Sequence, residues 1–250
     1  MRVRRHARPL RHVLSLTSMA QPRKLHDKYF LQAKADGYLA RSAYKLKEIQ
    51  ERGRMIRHGS RVLDLGCAPG SWIQVAVELV GHKGRIVGID LQEIREGFPP
   101  NVRTLVGDAF TTDPSVLIAA ATAEGEQPRP FDAVISDMAP NTSGHGDDLL
   151  SARLCRRVLE ILPGVLKPGG HMTMKIFEGA EHPLVLRETQ ALFRDAKSFK
   201  PHACRDVSRE TYIVAYGYTG ATARTKPTPG GLAPARPAPK PGWGSADSAT

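Results

Sequence analysis

The sequence predicts an α/β fold, a doubly wound and mostly parallel sheet with helices on both faces. Two observations carry this. Short apolar runs at 62–65, 85–90, 102–106 and 131–136 alternate with segments whose apolar residues recur at the helical period, the signature of strands buried on both faces and joined by crossover helices. Three of these runs also lead directly into an acid, Asp90, Asp108 and Asp137. Ligands in such sheets sit outside the carboxyl ends of the strands, so the acids mark one edge of the sheet as a site.

The elements follow in order. Residues 26–57 read as helical, with Tyr38, Leu39, Ala43, Leu46, Ile49 and Gln50 near i, i+3, i+4 and i+7. Val62–Leu65 is the first strand. Trp72–Val80 is the helix after it, with Ser71 as its expected N-cap. After the second and third strands, Pro114–Ala123 is Ala-rich and helical, and 124–130 is a loop. The fourth strand is Phe131–Asp137, followed by a Gly/Pro/Asn loop, 138–144, of the kind that lines a site. Asp147–Leu162 is a helix whose apolar face is read as Leu149, Leu150, Leu154, Val158, Ile161 and Leu162. His171–Phe177 is the fifth strand, and Lys175 in its middle is unusual, because lysine is rarely buried without a partner. A helix over Pro183–Ala196 and two last strands, 197–205 and 211–218, complete the body.

The loop after the first strand is the most informative stretch. Gly66 and Gly70 frame Cys-Ala-Pro, and a helix starts immediately after them. Glycines let a ligand approach the backbone, and a helix start offers unpaired N–H groups. The spacing is neither G-x-G-x-x-G nor G-x-x-x-x-G-K-[ST], which argues against dinucleotides and nucleoside triphosphates. Asp90 is placed to accept the hydroxyls of a ribose, and at Gly107-Asp108 a carboxylate or a backbone group is placed to meet an adenine amine. An adenosine ligand without a pyrophosphate fits: S-adenosylmethionine (SAM).

Charge divides the chain into three parts. The net charge is +11, yet residues 1–25 hold seven Lys/Arg and no acid, and residues 219–250 hold four against one. Residues 28–61 carry nine Lys/Arg against three acids, which leaves 62–218 slightly acidic. The expected organisation is a basic disordered arm over 1–25, a catalytic body over 26–218, and a disordered Pro/Ala/Gly-rich basic tail over 219–250. The first segment also suits a mitochondrial transit peptide or a start at Met19. Such a distribution is an electrostatic footprint for a polyanion. Three cysteines without C-x-x-C, and histidines without paired-ligand spacing, argue against a disulfide scaffold and a metal site. No apolar run approaches the ~20 residues of a membrane span.

Five stretches in order, Arg41–Leu46, Asp64–Trp72, Ser136–Asn141, Met174–Gly179 and Ser208–Tyr212, resemble the FtsJ (RrmJ)-type RNA 2′-O-methyltransferases over roughly residues 26–218. The resemblance implies a Rossmann-like SAM-dependent methyltransferase fold with seven strands and an antiparallel C-terminal strand. It implies a catalytic tetrad, Lys45, Asp137, Lys175 and Glu210, with Lys175 as proton acceptor, and SAM contacts from Gly70, Trp72, Asp90, Asp108 and Asp137. The implied substrate is a uridine of 23S ribosomal RNA, within the large ribosomal subunit. A tRNA-directed enzyme and the mitochondrial counterpart are the alternatives, and a cytoplasmic or mitochondrial monomer follows. The residues leave rivals to separate: Lys47 lies close to Lys45, Glu210 has Arg205 and Arg209 as alternative partners, and His145 stands in a loop that RNA could touch.

Overall fold

Four parallel strands set the frame: β1 (Arg61–Leu65), β2 (Arg85–Asp90), β3 (Val102–Val106) and β4 (Phe131–Ser136). In the computed structural model, which describes residues 28–141, 146–204 and 208–220, they join β5 (Leu166–Phe177), β6 (Phe193–Phe199) and β7 (Glu210–Tyr218) in one seven-stranded sheet of order β3-β2-β1-β4-β5-β7-β6. Only β7 runs against the rest, pairing antiparallel with both β5 and β6. The expected fold class is therefore the observed one. The predicted arm at 1–25, all but the first two residues of the predicted tail, and His145 lie outside the described residues.

Helices cover both faces. Strand alternation sends Leu63, Leu65, Val87, Val134 and Met174 toward α4 (Pro114–Ala120), α5 (Asp147–Val165) and α6 (His182–Gln190). It sends Val62, Ile86, Ile135, Tyr212 and Val214 toward α2 (Ala43–Gly53) and α3 (Ser71–Val80). Each fully buried Leu or Ile in these layers contributes about 1.5–3 kcal/mol of transfer free energy. The chain runs outward from β1 through β2 to β3, then restarts on the other side of β1 with β4. The gap between the carboxyl ends of β1 and β4 is thus a topological switch point, where such sheets hold ligands.

Five local expectations are corrected. The helical reading over 26–57 divides into α1 (Lys28–Ala35) and α2, because the chain reverses at Gly37 (φ +78°), where the Tyr38 N–H donates to Ala33 O at 2.8 Å. The cap of α3 is Gly70 (φ +110°), and the Ser71 hydroxyl is engaged with that of Ser42 at 2.8 Å instead. Leu149 and Leu150 are exposed in the first turn of α5, whose buried stripe runs through Ala152, Cys155, Leu159 and Leu162. The fifth strand begins earlier than His171, because Leu166 pairs with Phe131 before the register shifts to Ala133–His171. Helix α6 stops at Gln190, and Phe193–Phe199 is already strand β6. Phe193 and Ala196 are its buried positions, a spacing of three that imitates a helix, yet both lie in the antiparallel ladder to β7.

Candidate active site

Lys175 and Tyr212 are direct cross-strand partners in the β5–β7 ladder, and Glu210 lies opposite Phe177 two positions further on. Strand alternation puts Lys175, Glu210 and Tyr212 on the sheet face that α2 covers. Helix α2 is held there by Ala43, Leu46 and Ile49, all essentially inaccessible, and this docking drives Lys45 inward until it is only 4% exposed. Asp137 follows the last residue of β4. Four distant parts of the chain thereby converge. Lys45 Nζ donates to Glu210 Oε2 at 2.9 Å, Lys175 Nζ lies 3.0 Å from Asp137 Oδ1, and the Tyr212 hydroxyl donates to that same Oδ1 at 2.6 Å. Lys175 also donates to the Asp137 backbone carbonyl at 2.5 Å.

The charges are mutually dependent. Burial of Lys45 favours its neutral form, but Asp137 and Glu210 together outweigh that and raise its pKa. Burial likewise opposes ionisation of Glu210, while Lys45 and Lys175 draw its pKa below the usual carboxylate value. Burial, reinforced by Asp137, pushes the Tyr212 phenol well up, so Tyr212 is a fixed hydrogen-bond donor throughout neutral pH. Two of the rival pairings lead elsewhere, and the third, with Arg205, lies outside the described residues. Lys47 meets Glu78 at 3.4 Å and stands over the Tyr38 ring, away from the site. Arg209 donates to the Glu178 carbonyl rather than to Glu210.

Beside this cluster lies the loop after β1. Gly66 turns at φ +76°, and a Cβ there would come within 2.3 Å of Met138 Cγ, so only glycine lets the loops after β1 and β4 pack this closely. Asp90 fastens the loop: its Oδ2 accepts the Ala68 N–H and its Oδ1 the Gln92 N–H, both at 2.9 Å. Asp108 Oδ1 accepts the Phe110 N–H at 2.8 Å. Each carboxylate oxygen can accept a second hydrogen bond, so Asp90 and Asp108 are held in place with capacity to spare. Asp64, wholly buried on β1, has no hydrogen-bond donor on either oxygen among the described residues. Burial, then the nearby Asp137 and Asp90, pushes its carboxyl well above the ordinary range.

The sequence profile of the FtsJ-like methyltransferases matches residues 38–218. The chain belongs to that family. Among its relatives is ribosomal RNA large subunit methyltransferase E of Syntrophobacter fumaroxidans, 45% identical over 192 residues, which are 76% of this chain and 94% of that protein. The enzyme of the same name from Nitratidesulfovibrio vulgaris (strain Miyazaki F) is 45% identical over 196 residues, covering 78% of this chain and 95% of the relative. A crystal structure of a Plasmodium falciparum protein described as a ribosomal RNA methyltransferase superposes with a TM-score of 0.64 at 26% identity, over 74% of this chain and all of that one.

Within this FtsJ-like chain the structure brings Lys45, Asp137, Lys175 and Glu210 together, ties Asp90 to the loop that ends at Gly70 through the Ala68 N–H, and sets Asp108 next to Gly107, whose N–H donates to the Asp90 carbonyl. Trp72 is placed differently from a ligand-stacking residue. Its indole is 2% exposed, donates to the Ser42 carbonyl at 2.8 Å, and lies against Tyr212 with ring centroids 5.8 Å apart. What Trp72 can offer a ligand is its backbone in the first turn of α3. Sequence reasoning assigned no role to Tyr212 or Asp64. A tyrosine in a strand reads locally as packing, although Ser208–Tyr212 was among the stretches that carried the resemblance. SAM fits the cradle on the evidence of Asp64. An orphaned buried carboxyl beside Asp90 and Asp137, whose proton those neighbours and burial retain, is one that the ammonium and sulfonium charges of a bound ligand would return to its ionised form.

Proposed function

We propose that this protein methylates a ribose 2′-hydroxyl of RNA, and that its substrate is large-subunit ribosomal RNA, at a uridine of the 23S molecule. The observation that carries the reading is the pair of partnered lysines, Lys45–Glu210 and Lys175–Asp137, fixed at the carboxyl edge of the sheet beside the Gly66–Gly70 cradle. The names of the relatives support ribosomal RNA, and the 2′-hydroxyl is the group that distinguishes RNA from DNA.

When bound, SAM supplies an electrophilic methyl group on sulfur. The chain's own task is to position a weak nucleophile and take its proton. Lys45 is held charged by Glu210 and Asp137, so it serves as a fixed cation against the ribose oxygen or its phosphate. The acceptor role falls to Lys175, with Asp137 aiming the amine. Tyr212 fixes Asp137 in turn, through the 2.6 Å hydrogen bond. Positioning supplies several kcal/mol of the barrier, and proton removal about 10²–10⁴-fold in rate.

Transfer of labelled methyl from SAM to RNA, with DNA and protein as control acceptors, tests the reading. The expected result is label in large-subunit ribosomal RNA alone, at a linkage that resists alkali because its 2′-oxygen is blocked. Label in an alkali-labile nucleotide, in a base, or in protein would overturn it.

A further inference from the structure

The opposite edge of the sheet carries a feature the reaction does not use. Two open depressions, of about 520 and 620 Å³, lie near the amino-terminal ends of β1, β2 and β3. One is lined by His82, Arg85 and Arg103, the other by Arg54, Arg57 and His58. They adjoin, because the His58 and His82 rings meet edge to face with centroids 6.0 Å apart. Arg54, Arg57, His58, His82 and Arg103 are exposed and Arg85 is half-buried. Glu51 is the one acid lining either depression. None of these four arginines makes an ion pair among the described residues, whereas Arg61, Arg129, Arg156 and Arg157 each do. The described body ends at Gly220, beside Pro168, on this same edge, since β7 finishes opposite the start of β5. The segment 221–250 that follows holds Arg224, Lys226, Arg236 and Lys240 against Asp247.

We infer that this groove is a second RNA-contacting surface, which takes the sugar-phosphate backbone of a large folded RNA while the reacting nucleotide occupies the far edge. Guanidinium groups without an ion partner, gathered in adjoining open depressions, are the donors that phosphates select, and they position a nucleic acid without reading its sequence. The geometry also limits the partner's size. Arg85 and Asp90 stand at opposite ends of β2, about 16 Å apart at ~3.3 Å per residue. A single nucleotide seated at the candidate active site does not reach the groove, but a folded RNA that wraps the body does. The inference rests on RNA being the substrate and adds that recognition extends across the molecule.

The test uses the full chain carrying Arg57→Gln, Arg85→Gln and Arg103→Gln together, none of them in the candidate active site. Binding to large-subunit ribosomal RNA is measured against salt concentration. The expected result is an affinity at least 10-fold weaker and a log–log salt slope shallower by about 2–3, at ~0.7–0.9 per lost phosphate contact. In the methyl-transfer assay KM for the long RNA rises at least 10-fold, kcat stays within two-fold, and turnover of a dinucleotide acceptor, too short to span the two edges, is unchanged. The triple Arg→Lys variant, which keeps the charge, recovers most of the affinity. Unchanged affinity and slope in the glutamine variant would overturn the inference, as would equal losses on long and short acceptors. Loss of polyglutamate binding with RNA binding intact would assign the groove to an acidic protein and overturn it as well. If the wild-type protein transfers no methyl to RNA, the proposed function fails, while the binding measurement still decides the groove.

Discussion

Replacing Tyr212 by Phe removes one oxygen and little else. The ring keeps its place against Trp72 and under Lys45, whose Nζ lies 5.8 Å from the Tyr212 centroid. What disappears is the 2.6 Å hydrogen bond to Asp137 Oδ1. A hydrogen bond to a charged group contributes about 1.5–3 kcal/mol. The lower end applies here, because Asp137 keeps Lys175 as a partner and is 19% exposed, so water can replace part of the loss. At ~2–4 °C per kcal/mol for a body of this size, the melting temperature should fall by about 3–6 °C. The effect on turnover comes through orientation. With Oδ1 released on one side, the carboxylate that aims Lys175 is free to rotate, and a loss of ~1.4 kcal/mol in the transition state is tenfold in rate. Thermal melting and single-turnover methyl transfer at saturating RNA and SAM read the two effects separately. A variant that melts within 1 °C of wild type and turns over within two-fold would refute the role given to this phenol.

The other pairs yield their own expectations. Glu210→Gln leaves buried Lys45 without its carboxylate and should cost about 1.5–3 kcal/mol at pH 7. Because the folded-state pKa of Glu210 lies below its ordinary value, its contribution is present above about pH 4.3 and fades as pH falls through the folded value. Urea melts of wild type and variant should therefore converge in acid, and a gap that persists undiminished at pH 3 would contradict the pairing. Asp64→Asn should act oppositely on the free and bound protein. Since the Asp64 carboxyl is raised, the folded state binds the extra proton, and free-protein stability falls as pH rises from about 3.9 to the raised value. The variant should lack that loss and melt higher than wild type at pH 7, yet bind SAM at least tenfold more weakly by calorimetry. Lower stability together with unaltered SAM affinity would show that Asp64 faces no cationic ligand.

Much of the site was legible because its signals are local. The Gly66–Gly70 loop, the start of α3 and the acids at strand ends each need only a few neighbouring residues to be recognised, and a doubly wound sheet brings its strand ends together. Tyr212 was not legible, since its meaning lies in a partner 75 positions away. The burial of the Trp72 side chain was not legible for a related reason: its N–H donates to the carbonyl of Ser42, 30 positions away at the start of α2. Ser71 fits the composition rule for a cap, yet Gly70 adopts the positive φ there and leaves the hydroxyl to Ser42. The boundary at Phe193 was lost because a strand with buried positions three apart carries the helical period. The groove at the far edge was not legible: Arg54 and Arg57 belong to the excess charge of 28–61, but Arg85 and Arg103 fall in the slightly acidic stretch after it, and only the fold brings them near.

Lys175→Ala, assayed for methyl transfer to large-subunit ribosomal RNA and for SAM binding in the same preparation, tests the central claim most directly. The expected result is a kcat lower by at least 10²-fold with SAM affinity within a few-fold of wild type. Methyl transfer continuing at a near-normal rate would remove Lys175 as the proton acceptor, and the role given to its pairing with Asp137 with it.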